Sequence, residues 1–164
     1  MLIGEYQHSL DAKKRLAIPS KFRKELGEGA VLTRGLDNCL FVFPIKQWEE
    51  LAQKLGNLPM SQQGTRAFAR LLLSGAVEVE FDVLGRILIP EYLKNYAGLK
   101  KNAVITGVYN RLEVWDSEKW ASYKEKLEKD MLNPEVTVNE LNSMIENQED
   151  FQLIDVREDF EHEI

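Results

Sequence analysis

Apolar and polar positions alternate near residues 2–8, and after a polar stretch around Asp11 a second short alternating run occupies Arg15–Ile18; the pattern predicts two strands joined by a turn. Pro19 suits the first position of a helix, where its missing N–H needs no partner. Gly27 suits the C′ position, where left-handed backbone stops the helix. Ala30–Arg34 and Cys39–Phe43 are apolar runs separated by Gly35-Leu36-Asp37-Asn38, a tight-turn composition, so they read as a hairpin. A helix carrying Trp48 follows, its indole expected to pack on the core. Phe68, Leu71 and Leu72 then recur at helical spacing, with Ser61 as the cap and Gly75 as the stop.

The whole pattern returns. DAKKRLAIP at 11–19 recurs as DVLGRILIP at 82–90, an offset of 71 that carries Asp11, Arg15, Ile18 and Pro19 onto Asp82, Arg86, Ile89 and Pro90. AVLT at 30–33 returns as AVIT at 103–106, Asn38-x-Leu40-x-Val42 as Asn110-x-Leu112-x-Val114, and Trp48 as Trp120. Pro90 and Gly98 bound a second short helix, Ala103–Val108 and Leu112–Trp115 make a second hairpin, and a helix runs from Ser117 to about Met131. Two copies fall short of the roughly three that a solenoid needs. They read instead as halves of one pseudo-symmetric barrel, at residues 5–47 and 76–119, in an α+β, β-rich fold with flanking helices.

Beyond Asn133-Pro134 the character changes. Thr137 and Glu140 form a capping box for a helix to about Asn147, and FQLIDV at 151–156 reads as a buried strand, giving a short α/β tail. Residues 133–164 carry a net charge of −9, so the overall −6 hides a body of +3. That excess lies within residues 1–35, as an anion-binding surface requires.

No apolar run approaches the roughly 18 residues of a membrane span, and no signal peptide is recognisable, so a soluble, cytoplasmic protein is expected. Cys39 is the only cysteine, which excludes an intrachain disulfide and a Cys-rich zinc site; a buried place in a strand suits it. His8 and His162 are isolated, and no nucleophile–base or phosphate-loop motif occurs. No enzyme, cofactor, metal, membrane partner or small-molecule substrate is expected.

The candidate chemistry sits in the first repeated turn. Asp11 can bond its own turn's backbone and fix the direction of Arg15, while Lys13 and Lys14 project from the tip. Phosphate rewards such clustering, and the planar fork of Arg15 matches the O6 and N7 acceptors of guanine. The simpler reading is an Asp–Arg pair that only staples the turn, and it weighs more at Asp82–Arg86, whose tip is the uncharged Val83-Leu84-Gly85. Arg66 and Arg70, four apart, could meet phosphate or simply be solvated.

GEYQHSLDAKKRLAIPSKFRKELGEG, TRGLDNCLFVFP and SGAVEVEFDVLGRILIPEYLKNYAGL resemble the MraZ family of bacterial transcription regulators, over residues 1 to about 131. The resemblance implies an AbrB-like swapped-hairpin barrel and a sequence-specific DNA-binding regulator, a repressor, of the cell division and cell wall gene cluster. It implies a ring-shaped homo-oligomer on double-stranded DNA at the nucleoid, and DNA contact through Asp11, Lys13, Lys14, Arg15, Asp82 and Arg86. Lys14 stands where the family usually has Gly; if that position needs positive φ, the strain is about 1 kcal/mol or more. The alternative is a structural or interaction protein that binds protein partners with the same barrel. The tail resembles the opening of a rhodanese-like domain, whose catalytic Cys lies further along than Ile164, so sulfur transfer is not expected.

Overall fold

Two proline-led helices and two hairpins recur as the pattern requires. The computed structural model describes residues 1–58 and 63–132; the Ser61 cap and the 133–164 tail lie outside the described residues. In chain order the elements are β1 (Leu2–Ser9), β2 (Arg15–Ala17), α1 (Ser20–Leu26), β3 (Gly29–Arg34), β4 (Leu40–Pro44), α2 (Ile45–Gly56) and α3 (Gln63–Ser74). The second copy supplies β5 (Val77–Glu80), β6 (Arg86–Leu88), α4 (Glu91–Ala97), β7 (Asn102–Tyr109), β8 (Arg111–Asp116) and α5 (Ser117–Leu132). Met1–Lys124 form one compact unit, and Glu125 begins another.

Three local expectations shift. Pro19 and Pro90 are N-caps rather than first helical residues, because both hold extended ψ values of 138° and 147°. Gly98 is left-handed as expected, with φ 63° and ψ 32°, whereas Gly27 pairs φ 81° with ψ −142°, a region open chiefly to glycine. Cys39 is buried, but β4 starts one residue later, and its Sγ faces the Leu36 carbonyl at 3.0 Å in the turn.

The strands interlock across the copies. One sheet has the order β1-β7-β8-β4-β3-β5, and a two-stranded ribbon pairs β2 with β6, all antiparallel. Only the hairpins β3–β4 and β7–β8 pair strands of the same copy. Strand β1 pairs with β7 of the second copy, and β5 pairs with β3 of the first. Leu16 faces Ile87 at the centre of the ribbon, and Phe41 faces Glu113 at the centre of β4–β8, so a pseudo-twofold axis passes through both pairs. The sheet's edge strands, β1 and β5, each run through an Asp turn into the ribbon. This is the β-rich α+β fold expected from the repeat.

Alternation along the central strands divides the apolar residues between two faces. Leu40 and Val42 of β4, with Leu112 and Val114 of β8, join Leu16, Ile18, Phe22, Ile87, Ile89 and Leu93 in one core between sheet and ribbon. Phe41, Phe43 and Trp115 turn the other way, against Leu55 and Leu72, with Trp48, Trp120 and Tyr123 packed over them. The tryptophans thus pack on the core as the sequence suggests. On α3 only Leu72 turns fully inward; Phe68 stays 39% exposed. Arg34 lies over the rings of Tyr92 and Tyr96, each at 5.8 Å, while the Tyr96 hydroxyl donates to the Gly35 carbonyl at 2.7 Å, tying α4 to the first hairpin.

Since four of the six strand pairs among the described residues cross from one copy to the other, neither copy holds a closed core. A fragment of residues 1–71 is therefore expected to be unfolded or dimeric in sedimentation and circular dichroism. A folded monomeric fragment would contradict the interlocked topology.

Candidate functional site

Both Asp turns are built by the same bonds. Asp11 Oδ1 accepts the backbone N–H groups of Lys13 at 2.8 Å and Arg15 at 2.9 Å, and Asp82 Oδ1 accepts those of Leu84 at 2.9 Å and Arg86 at 3.0 Å. The second carboxylate oxygen takes the guanidinium: Arg15 Nε donates to Asp11 Oδ2 at 2.7 Å, and Arg86 Nε to Asp82 Oδ2 at 2.8 Å. Each turn is closed by Asp11 N–H to the Arg15 carbonyl, or Asp82 N–H to the Arg86 carbonyl, both at 3.0 Å.

The ribbon then places the turns side by side. Ile18 N–H donates to the Gly85 carbonyl and Ile89 N–H to the Lys14 carbonyl, each at 3.0 Å, so each tip is held by the strand leaving the other turn. Both carbonyls belong to residues of positive φ, Lys14 at 61° and Gly85 at 72°. Lys14 is therefore strained, since a lysine occupies the left-handed position that glycine fills in the second turn.

Two pairs expected to act separately become one cluster. Arg86 Nη1 reaches Asp11 Oδ2 at 3.3 Å, and Arg15 Nη1 lies 3.7 Å from Asp82 Oδ2, while Nη2 of each arginine sits 2.7 Å from its own aspartate. The four side chains are 22–31% exposed. A guanidinium has five N–H donors and these contacts engage at most three of them, so each arginine keeps at least two N–H groups, on Nη1 and Nη2, beyond those its aspartates take. The cluster is formally neutral: it orients donors without attracting phosphate by net charge.

Positive charge comes from around it. Lys13 is exposed at the first tip. Lys14 pairs instead with Glu91 in the first turn of α4, and that bond holds the Glu91 carboxyl below its ordinary range. Arg23 of α1 was not singled out from the sequence, yet its guanidinium fills the space a Cβ at Gly85 would need, within 2.4 Å of the ideal position for its Cζ. Its Nε is buried without a hydrogen-bond partner. The same offset that relates the two turns relates Arg23 to Lys94, the signal that could have found it. Arg70 lies on α3, away from both turns in sequence, and Cys39, its thiol pushed far up by burial, offers no nucleophile. Among the described residues no group of acids, histidines and cysteine could hold a metal ion, and no helix is long and apolar enough to cross a membrane.

The duplicated turn also marks the boundary found by comparison with known proteins. The family described as "MraZ protein, putative antitoxin-like" matches residues 1–71 and again 72–139, a division that follows the 71-residue offset. The chain belongs to the MraZ family. It is 56% identical over 123 residues to the transcriptional regulator MraZ of Acetivibrio thermocellus, covering 75% of this chain and 86% of that one. It is 50% identical over 133 residues to that of Natranaerobius thermophilus, covering 81% and 93%, and 54% identical over 124 residues to that of Symbiobacterium thermophilum, covering 76% and 90%. These relatives mark the chain as one of a family of transcriptional regulators.

Lys14→Gly should leave the fold intact and raise stability by up to about 1 kcal/mol in urea titration, because relief of left-handed strain outweighs an exposed ion pair worth about 0–1 kcal/mol. A loss greater than that would show that the Glu91 contact dominates.

The cluster also predicts acid sensitivity. Hydrogen bonds from the Arg86 side chain and backbone hold the Asp82 carboxyl down to about 2, against an ordinary 3.8, and the Arg15 backbone and side chain lower Asp11. A carboxylate depressed in the folded state contributes stability above its unfolded pKa and loses it as pH falls toward its folded value. Thermal midpoints should therefore drop between about pH 4 and 2, and more shallowly in an Asp11→Asn, Asp82→Asn double variant; parallel curves would refute the assignment.

Proposed function

We propose that the protein is a sequence-specific DNA-binding transcriptional regulator that contacts double-stranded DNA through Asp11, Lys13, Lys14, Arg15, Asp82 and Arg86. The observation that carries this reading is the merging of both Asp–Arg turns into one partly exposed cluster whose arginines keep spare N–H donors. Each aspartate takes Nε and Nη2 of its own arginine and lies near Nη1 of the other, which fixes both guanidinium planes and leaves N–H groups on each for a planar acceptor. That is the shape that donates to O6 and N7 of guanine in the major groove. Lys13, with Arg23 behind the second turn, supplies the sequence-blind attraction to phosphate that the neutral cluster lacks.

By the family resemblance, the regulated genes are the cell division and cell wall cluster, the action is repression, and the site of action is the nucleoid in the cytoplasm. The assembly is a ring-shaped homo-oligomer. The outer edges of β1 and β5, unpaired among the described residues, and the exposed Phe68 and Leu73 on α3 support further contacts between copies. A ring sets many such clusters against repeated promoter boxes, adding avidity without new contacts. The repeats at 5–47 and 76–119 are the two DNA-reading halves, and the rhodanese-like tail at 133–164, with its charge of −9, opposes binding wherever it lies near them.

Arg15→Ala should lower affinity for a selected operator by about 1–3 kcal/mol per contacting copy, with the fold intact by circular dichroism and only a modest drop in thermal midpoint from the lost Asp11 contact. Lys13→Ala should weaken all DNA alike and reduce the salt slope by about one. An Arg15→Ala titration that overlays the parent would sink the reading. Light scattering at micromolar concentration should give a mass several times that of one chain, and a single-chain mass would remove the ring. Deleting residues 134–164 should raise DNA affinity at low salt and lose that advantage as salt is added.

A further inference from the structure

The two tips that flank the cluster differ in kind. Ala12, Lys13 and Lys14 of the first turn correspond to Val83, Leu84 and Gly85 of the second. Val83 is 101% exposed and Leu84 65%, the most exposed aliphatic pair in consecutive positions among the described residues. Their backbone is nonetheless fixed, since Leu84 N–H donates to Asp82 Oδ1 at 2.9 Å and Gly85 N–H to the Asp82 carbonyl at 2.7 Å. A fixed turn thus holds two bare aliphatic groups in water beside Arg86.

Leu84 and Arg86 are held by the same Asp82 carboxylate, so a ligand at Arg86 lies close to this tip, as a ligand at Arg15 lies close to Lys13. The tip has no charge and no side-chain donor, so it offers nothing to phosphate. The base edges of duplex DNA present one aliphatic group in the major groove, the C5-methyl of thymine, on the same groove face as guanine O6 and N7. Apolar side chains read that methyl, and a contact with sugar alone would carry no sequence information.

Resting on the DNA-binding reading above, we infer that Val83 and Leu84 are specificity-determining residues that pack on thymine methyl groups beside the base held by Arg86. The two turns then do different work. The first combines base reading with phosphate attraction through Lys13, and the second reads a thymine next to its guanine. The pseudo-symmetric cluster therefore recognises an asymmetric sequence.

The test uses the full chain and a duplex selected from a random pool, with each thymine replaced in turn by deoxyuridine, which removes the methyl and keeps the pairing. Affinity should fall about fourfold per contacted methyl, the fold-change equivalent of the roughly 0.8 kcal/mol of one buried methylene. Those positions should lie beside a guanine whose replacement is also felt. Val83→Ala with Leu84→Ala should bind thymine and deoxyuridine duplexes alike at those positions, whereas Lys13→Ala should keep the difference. The inference is overturned if no thymine position responds in the parent chain, or if the double variant keeps the response. It is equally overturned if the double variant changes the mass seen by light scattering, which would make the tip a contact with a second copy. Absence of DNA binding by the parent chain would overturn the DNA reading itself, whereas a failure confined to the deoxyuridine comparison leaves that reading standing.

Discussion

Leu16 and Ile87 meet across the β2–β6 ribbon with no solvent exposure, and the position of both Asp turns follows from that contact. Burying the pair fixes the register of a ladder only three residues long on each side. The register in turn brings the Lys14 carbonyl to Ile89 and the Gly85 carbonyl to Ile18. A slip of one residue would turn Leu16 outward and separate the two turns. The geometry of the surface cluster is thus a consequence of core packing some distance beneath it.

The cluster divides two jobs that cationic surfaces usually combine. With two carboxylates and two guanidinium groups sharing oxygens, it gains its orientation from charge-assisted hydrogen bonds and has little long-range field of its own. Long-range attraction falls to side chains on its margin. One of these, Lys14, is partly occupied by Glu91, and another, Arg23, comes from a helix of the other repeat. Substitutions at the centre and at the margin should therefore separate specificity from general affinity, as base and phosphate contacts do.

Much of this was legible in the sequence. The 71-residue offset revealed the two copies, and the spacing of Asp11 to Arg15 and Asp82 to Arg86 revealed the stapled turns, because Asp bonding to its own turn is a local matter. The left-handed Lys14 was legible as a question, from the glycine at its counterpart. What was hidden is everything that crosses between copies. No local pattern says that Arg86 approaches Asp11, that Arg23 covers Gly85, or that Glu91 takes Lys14, since these depend on which strands exchange partners. The one-residue shifts at Pro19 and Pro90 have a smaller cause: proline fixes φ alone, so its ψ can end the preceding segment as readily as begin the helix; Cys39 shifts because its backbone N–H and carbonyl close the turn onto Leu36 and Gly35.

The pairing of Leu2 with Tyr109 along β1–β7 reaches beyond the finished structure to its synthesis. Strand β1 leaves the ribosome first and has no strand to pair with until β7 follows, a wait of roughly 5 to 20 s at ordinary elongation rates. During that interval the apolar side chains of Leu2 and Tyr6 and the outer edges of the first hairpin have no partner strand, and contacts of such long sequence separation close slowly even when the chain is complete. A fold made of two exchanged halves thus places its greatest exposure to aggregation on the nascent chain.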